Sequence, residues 1–193
     1  MAFDFEVIFM TGPQGSGKGT QGKRLAAKLD FFLWDMGAVL RSIATEDTPL
    51  GREVADIINN GNFLGDDLLI EILKDRLSSL PPGKGLIFDG VPRRMGQAEY
   101  ILKFLREQHR SRFVTVSIDL PREESVKRLM LRAKTEGRVD DTPEAIDKRL
   151  KFFEDVIKPM MEYLKQETTY IEIDGRPSID EVEKAIDAAL GLQ

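Results

Sequence analysis

Short apolar runs alternate along this chain with longer stretches in which apolar positions recur every third or fourth residue. The runs cover residues 5–10, 86–88, 113–118 and 170–173, with a shorter one at 32–35. Compact runs rich in Val, Ile and Phe predict strands, and the pattern between them predicts helices. Strands separated by helices need crossover connections, hence a parallel sheet covered on both faces. Helix boundaries are marked too. Thr142 followed by Pro143 predicts an N-terminus, and Ser178 with Glu181, just after Pro177, forms a capping box. Beyond Thr142, the residues Ile146, Leu150, Phe153, Ile157 and Met161 fall on one stripe, which predicts a buried face. Pro159 should bend or end that helix. Residues 37–66 carry two helical patterns with no strand between them, and residues 133–141 form a polar, glycine-containing connection. Both are placed to project over the carboxyl ends of the strands, where ligands of such sheets bind.

Composition narrows the class. The chain has 193 residues, 41% of them hydrophobic, which predicts one domain with a real core. No run approaches the roughly 20 apolar residues that span a bilayer. The sequence enters its first strand with no basic segment or cleavage site, and it holds no cysteine, so a cytoplasmic protein without disulfides is expected. A net charge of -5 argues against general nucleic-acid binding.

The chemistry starts in the loop after the first strand. Gly12, Gly15, Ser16, Gly17, Lys18, Gly19 and Thr20 lie in a G-x-x-x-x-G-K stretch between that strand and a helical pattern at 21–29. In this context the motif means phosphate binding. Glycines at these positions let successive backbone N–H groups turn around an anion. The helix start adds unpaired N–H groups and the positive end of its dipole. Lys18 supplies a full charge for the outer phosphates. Gly19 stands directly after the lysine, where a generic P-loop has Ser or Thr for Mg2+, and Thr20 comes one residue later. That spacing, with no N-K-x-D element, argues against a GTPase switch. Asp89 ends the 86–88 run, and a carboxylate there would face the loop's phosphates and hold the Mg2+ hydration shell.

The loop resembles that of the nucleoside monophosphate kinases, and most of all the adenylate kinases. Residues 89–98 resemble the family's D-G-F-P-R-x-x-x-Q-A signature, with Val91 in place of phenylalanine. The resemblance implies that Gly90 and Arg93 meet the acceptor phosphate region and that Gln97 reads the adenine edge. Gly37 and Arg41 match the G-D-x-L-R element, with Arg41 as a second acceptor-phosphate arginine. Ala38 replaces its aspartate, and Met36 stands where a threonine is usual. Residues 61–66 resemble the G-x-L-V-P-D turn, with Phe63 and Leu64 as the wall beside the acceptor base. Arg128, Arg132, Arg138 and Arg149 follow the family's order and are implied to surround the donor and the moving phosphoryl group. Arg138 and Arg149 also reach the acceptor. The loop of residues 174–177, with Arg176, matches the one beside the donor adenine.

The family's fold follows as an expectation: an α/β P-loop NTPase three-layer sandwich around a five-stranded parallel sheet. Its core would take residues 1–36, 67–132 and 142–193. Residues 37–66 would be a helical monophosphate-binding insertion and residues 133–141 a short lid without zinc. Lys18, Arg93, Arg128, Arg138 and Arg149 are the expected catalytic set, with Mg2+ on Asp89 through water and on Thr20. The expected reaction is ATP plus AMP giving two ADP, carried out by a monomer with no nucleic-acid or membrane partner. Two alternatives stay open on sequence: a kinase for another acceptor such as CMP or UMP, favoured by Met36 and Ala38, and a nucleotide sensor without turnover.

Overall fold

The computed structural model describes residues 3–60, 62–77, 83–136 and 141–192. Five strands form one parallel sheet: β1 (Val7–Thr11), β2 (Phe32–Asp35), β3 (Leu86–Asp89), β4 (Phe113–Asp119) and β5 (Thr169–Asp174). Their order across the sheet is β2-β3-β1-β4-β5. The central strand β1 is buried at all of its positions, as a strand covered on both faces must be. Its side chains alternate between two cores. Val7 and Phe9 join the larger core, whereas Ile8 and Met10 join the other.

The second core is closed by α1 (Lys18–Leu29) and by α9 (Ile179–Leu190). The larger core takes α2 (Met36–Ile43), α3 (Pro49–Asn59), α4 (Asp66–Leu77), α5 (Met95–Glu107) and α8 (Lys158–Glu167). Layers of helix, sheet and helix result, which is the expected three-layer α/β class. Between β4 and α8 lie α6 (Arg122–Glu136) and α7 (Pro143–Phe152), which share a small core of Leu129, Ile146 and Leu150. Helix α6 runs on through residues 133–136, so the polar connection is partly helical; residues 137–140 lie outside the described residues.

The caps form as the sequence predicts. Thr142 Oγ1 accepts the Ala145 N–H at 3.2 Å, and Ser178 and Glu181 make both bonds of a capping box. Pro159 does not end its helix. A π-helical turn, Phe153–Ile157, joins α7 to α8, and the Lys158 N–H bonds back to the Phe153 carbonyl. Proline lacks an N–H and clashes with the carbonyl four residues earlier, and a wider turn is one way around that clash. The extra residue rotates the stripe, so Met160 is buried where Met161 was expected, and Met161 sits at the core's margin.

Candidate active site

The site gathers at the carboxyl ends of β1, β2 and β3. The loop leaving β1 holds Gly12, Gly15 and Gly17 at φ of 135°, 85° and 93°. A Cβ on Gly12 would lie 2.3 Å from the Ile118 carbonyl oxygen, so close approach and backbone angle both demand glycine there. Gly17 is the N-cap of α1, and no side chain caps that helix. Its first turn, from Lys18 to Thr20, therefore lines a cavity with uncapped backbone N–H groups, the arrangement that favours an anion. Ser16 is buried behind the loop, with no partner for its Oγ. Gly19 has a steric reason to be glycine: a Cβ would stand 3.0 Å from Asp89 Oδ2.

One cavity of about 510 Å³ takes in that turn, Asp89, and five arginines: Arg41, Arg93, Arg128, Arg132 and Arg149. Lys18 Nζ donates to the Pro13 carbonyl at 3.1 Å. Burial lowers its pKa to about 8; Asp89 resists the shift, while Arg93, Arg132 and Arg149 add to it. So much positive charge around one space has few natural occupants besides polyphosphates.

Asp89 closes β3 with its Oδ1 buried and unpartnered. Burial pushes its carboxyl above the ordinary range; Lys18 pulls it down, and Asp35 pushes it further up. Asp35 faces Asp89 in the β2–β3 register and lines the same cavity. Its Oδ1 accepts the Ala38 N–H at 2.9 Å and so caps α2. An orphaned buried carboxylate oxygen with a second carboxylate across the register fits a hard divalent cation that keeps most of its water, as Mg2+ does. Among the described residues there is no group of three or more His, Cys, Asp or Glu that could cage a metal outright.

The arginines are held by different elements. Arg128 donates to the Gly175 and Arg176 carbonyls at 2.9 and 3.1 Å and to Glu124 at 3.2 Å, tying α6 to the loop after β5. Arg132 grips Asp141 with two bonds of 2.7 and 2.9 Å, and Arg149 pairs with the same carboxylate. The Asp141 side chain is fully buried. Burial alone would raise its pKa, but the bonds from Arg132 and Arg149 outweigh burial and hold it below the ordinary range. Arg93 is half-buried, and its guanidinium packs where a Cβ on Gly90 would come within 3.1 Å. Arg41 leans over Gly37 in the same way, 3.0 Å from where a Cβ would stand.

Gln97 is buried, and both ends of its amide are engaged. Its Oε1 accepts the Arg93 N–H and its Nε2 donates to Asp66 Oδ1, both at 2.9 Å. With Met36, Phe63, Leu64 and Gly90 it walls a second pocket of about 20 Å³ beside the main cavity. Arg176 turns away: it pairs with Asp174 at 2.8 Å and lines a separate groove of about 830 Å³ on the α8 side. Only its carbonyl reaches the Arg128 side chain. Arg138 lies outside the described residues. Sequence reasoning missed Asp35, Asp141 and also Phe152, which lines the second pocket. Asp35 was the most accessible of the three, since an aspartate at a strand's carboxyl end carries the same signal as Asp89.

The family model described as adenylate kinase matches residues 10–169. An adenylate kinase of Thermus thermophilus is 38% identical over 186 residues, covering 96% of this chain and 97% of its own length. One from Maricaulis maris is 38% identical over 183 residues, with 95% and 97% covered. One from Stenotrophomonas maltophilia is 36% identical over 183 residues, with 95% and 98% covered. Loop, cavity and likeness along nearly the whole chain agree, and the chain belongs to the adenylate kinase family of nucleoside monophosphate kinases.

Proposed function

We propose that this chain transfers the γ-phosphoryl group of ATP to AMP, reversibly and with Mg2+, to give two ADP. The observation that carries the reading is the single cavity that unites Lys18 and the glycine loop with five arginines. Two polyphosphate groups repel one another, and only a dense set of fixed positive charges lets them meet in line. In this reading the glycine loop, Lys18 and Thr20 hold the donor's outer phosphates. Arg128, Arg132 and Arg149, with Arg138, follow the phosphoryl group as it moves. Arg41 and Arg93 hold the acceptor phosphate. Gln97 exchanges its Asp66 contact for the adenine edge.

The acceptor's phosphate oxygen is ionised at pH 7 and attacks the γ-phosphorus. The bond from that phosphorus to the bridging oxygen of the donor breaks, and ADP leaves with the electron pair. No proton moves, so no general base is required, and the cavity offers no histidine. Asp89 through water, with Thr20 nearby, would hold Mg2+, which supplies neutralising charge to the donor's outer phosphates. Residues 37–66 serve as the acceptor-binding insertion and residues 133–141 as a short lid. Closure of both keeps water from competing with the acceptor. Every part comes from one chain, so a monomer suffices.

A coupled assay with AMP, CMP and UMP tests the reading. AMP should exceed the pyrimidine acceptors by at least about tenfold in kcat/KM, and Arg93→Ala should lose about 100-fold or more. Equal rates for all three acceptors would remove the AMP assignment while leaving phosphotransfer standing. Absence of turnover with every acceptor would remove phosphotransfer itself.

A further inference from the structure

Lys23 lines the main cavity, and among the described residues it makes no hydrogen bond or ion pair. Every other cation lining that space has a task in the reading above. Lys23 stands on α1 four residues after Gly19 and three after Thr20, so the three share a face of the helix. That face is directed at Asp89: a Cβ on Gly19 would stand 3.0 Å from the Asp89 Oδ2. Lys23 is one turn further along, a rise of about 5.4 Å. Helix side chains lean towards the N-terminus, over the turn before their own. Gly19 puts no side chain on that turn. The Lys23 stem therefore has an open track back towards the carboxylate. Burial pushes the Asp89 carboxyl up, and Lys23 is one of the cations, behind Lys18 and Arg93, that pull it down again.

The carboxylates near this track need a counter-charge. Asp89 and Asp35 face each other across the β2–β3 register and line the same cavity. Lys18 is engaged with the Pro13 carbonyl and is wanted by the phosphates. Without a metal, two carboxylates at the cavity wall repel the phosphate oxygens that must come past them. An ammonium group on a flexible four-carbon stem can cover such a pair and swing aside, which a guanidinium held by two-pronged bonds cannot do.

We propose that Lys23 is a tethered counter-ion for the metal site: its ammonium group covers Asp35 and Asp89 while no metal is bound and withdraws when hydrated Mg2+ arrives with the donor. The inference rests on the placement of Mg2+ at Asp89 proposed above. Lys23 is a positioning residue in this scheme, acting on the donor through the two carboxylates. Two consequences follow from its charge. It eases the entry of ATP without metal, because the carboxylates no longer repel the phosphates. It also opposes Mg2+, because two cations compete for one pair of carboxylates.

The test is calorimetric titration of the full chain with β,γ-imido ATP, which is not turned over, once with a chelator and once with excess Mg2+ at equal ionic strength. The readout is the ratio of the two affinities. Lys23 is exposed on its helix, so Lys23→Met removes the charge without touching the core. Metal-free affinity should fall about fivefold in that variant while affinity with Mg2+ holds or rises, so the ratio widens by about fivefold or more. Lys23→Arg, which keeps the charge, should stay within about twofold of the wild-type ratio. Equal weakening with and without Mg2+ would make Lys23 a phosphate contact, and no change would make it a solvated surface charge; either result overturns the proposal while leaving Mg2+ at Asp89. Adding Asp89→Asn to Lys23→Met should close the widened ratio. A ratio that stays wide without the Asp89 carboxylate would take the metal away from Asp89 and overturn the placement and the counter-ion together.

Discussion

Lys18 gives the sharpest quantitative expectation, because its ammonium group is expected to lose its proton within an accessible pH range. Burial and the neighbouring Arg93, Arg132 and Arg149 outweigh Asp89 and bring its pKa to about 8. In the free protein about nine-tenths of the molecules carry the charged lysine at pH 7, half at pH 8 and about one-tenth at pH 9. Polyphosphate binds the charged form and keeps the proton on it. Apparent ATP affinity should therefore fall about tenfold between pH 7 and pH 9, and binding at pH 8 should take up about half a proton. Calorimetry in two buffers of different ionisation heat measures both quantities. The chain has no cysteine, and its single histidine, His109, follows α5 away from the cavity, so neither confuses the reading. The lowered pKa also means that free-protein stability gains from Lys18 as pH rises from about 8 towards 10.5, since the unfolded chain then holds more protons. Saturating ATP should cancel that gain. Flat affinity from pH 7 to 9 with no proton uptake would refute the crowded, charge-surrounded lysine on which the prediction depends.

Other expectations follow from single side chains. Asp35→Asn keeps the cap on α2, because asparagine caps as well as aspartate. It removes the carboxylate facing Asp89, so the Mg2+ concentration for half-maximal rate should rise about fivefold, as ~1 kcal/mol of lost attraction would produce. An unchanged Mg2+ requirement would take Asp35 out of the metal's surroundings. Asp141→Ala removes the buried carboxylate that Arg132 and Arg149 share and should cost about 1–3 kcal/mol in urea unfolding. The folded-state pKa of Asp141 lies below the ordinary 3.8, so its stabilising contribution is present above that pH and is lost as pH falls further, through the folded value. Acid unfolding of the alanine variant should lack that step. Gly12→Ala pushes a methyl group to within 2.3 Å of the Ile118 carbonyl at a φ of +135°. It should lower stability by about 2 kcal/mol or more and weaken ATP binding, and a melting curve and a titration with wild-type values would contradict that.

Much of this was legible because the signals are local. The run ending at Met10, the three glycines and Lys18 stand within a few residues, and each constrains the backbone or the charge on its own. Arg128 and Arg132 stand four apart on one helix, so their shared face is also local. What stayed hidden depends on contacts between distant segments. Asp35 meets Asp89 only because β2 pairs with β3 in that register. Phe63 meets Phe152 across 89 residues of chain, and neither neighbourhood announces the other. Gln97 was read as facing adenine; the bonds it makes here, to the Arg93 backbone and to Asp66, are a separate matter that its place in the motif did not announce. An amide's spacing in a motif does not tell which of several partners it holds before ligand arrives. Pro159 was read as bending or ending its helix, and the π-helical turn that accommodates it could not be inferred from proline alone.

Following the label from γ-phosphate-labelled ATP mixed with AMP and Mg2+ tests the direct crossing of phosphate between two bound nucleotides. The account predicts that each ATP consumed yields two ADP, that the label appears in the β position of the ADP formed from AMP, and that almost none appears as inorganic phosphate. Label accumulating as inorganic phosphate while AMP stays unchanged would mean that water reaches the phosphoryl group first, contrary to a cavity that brings donor and acceptor together.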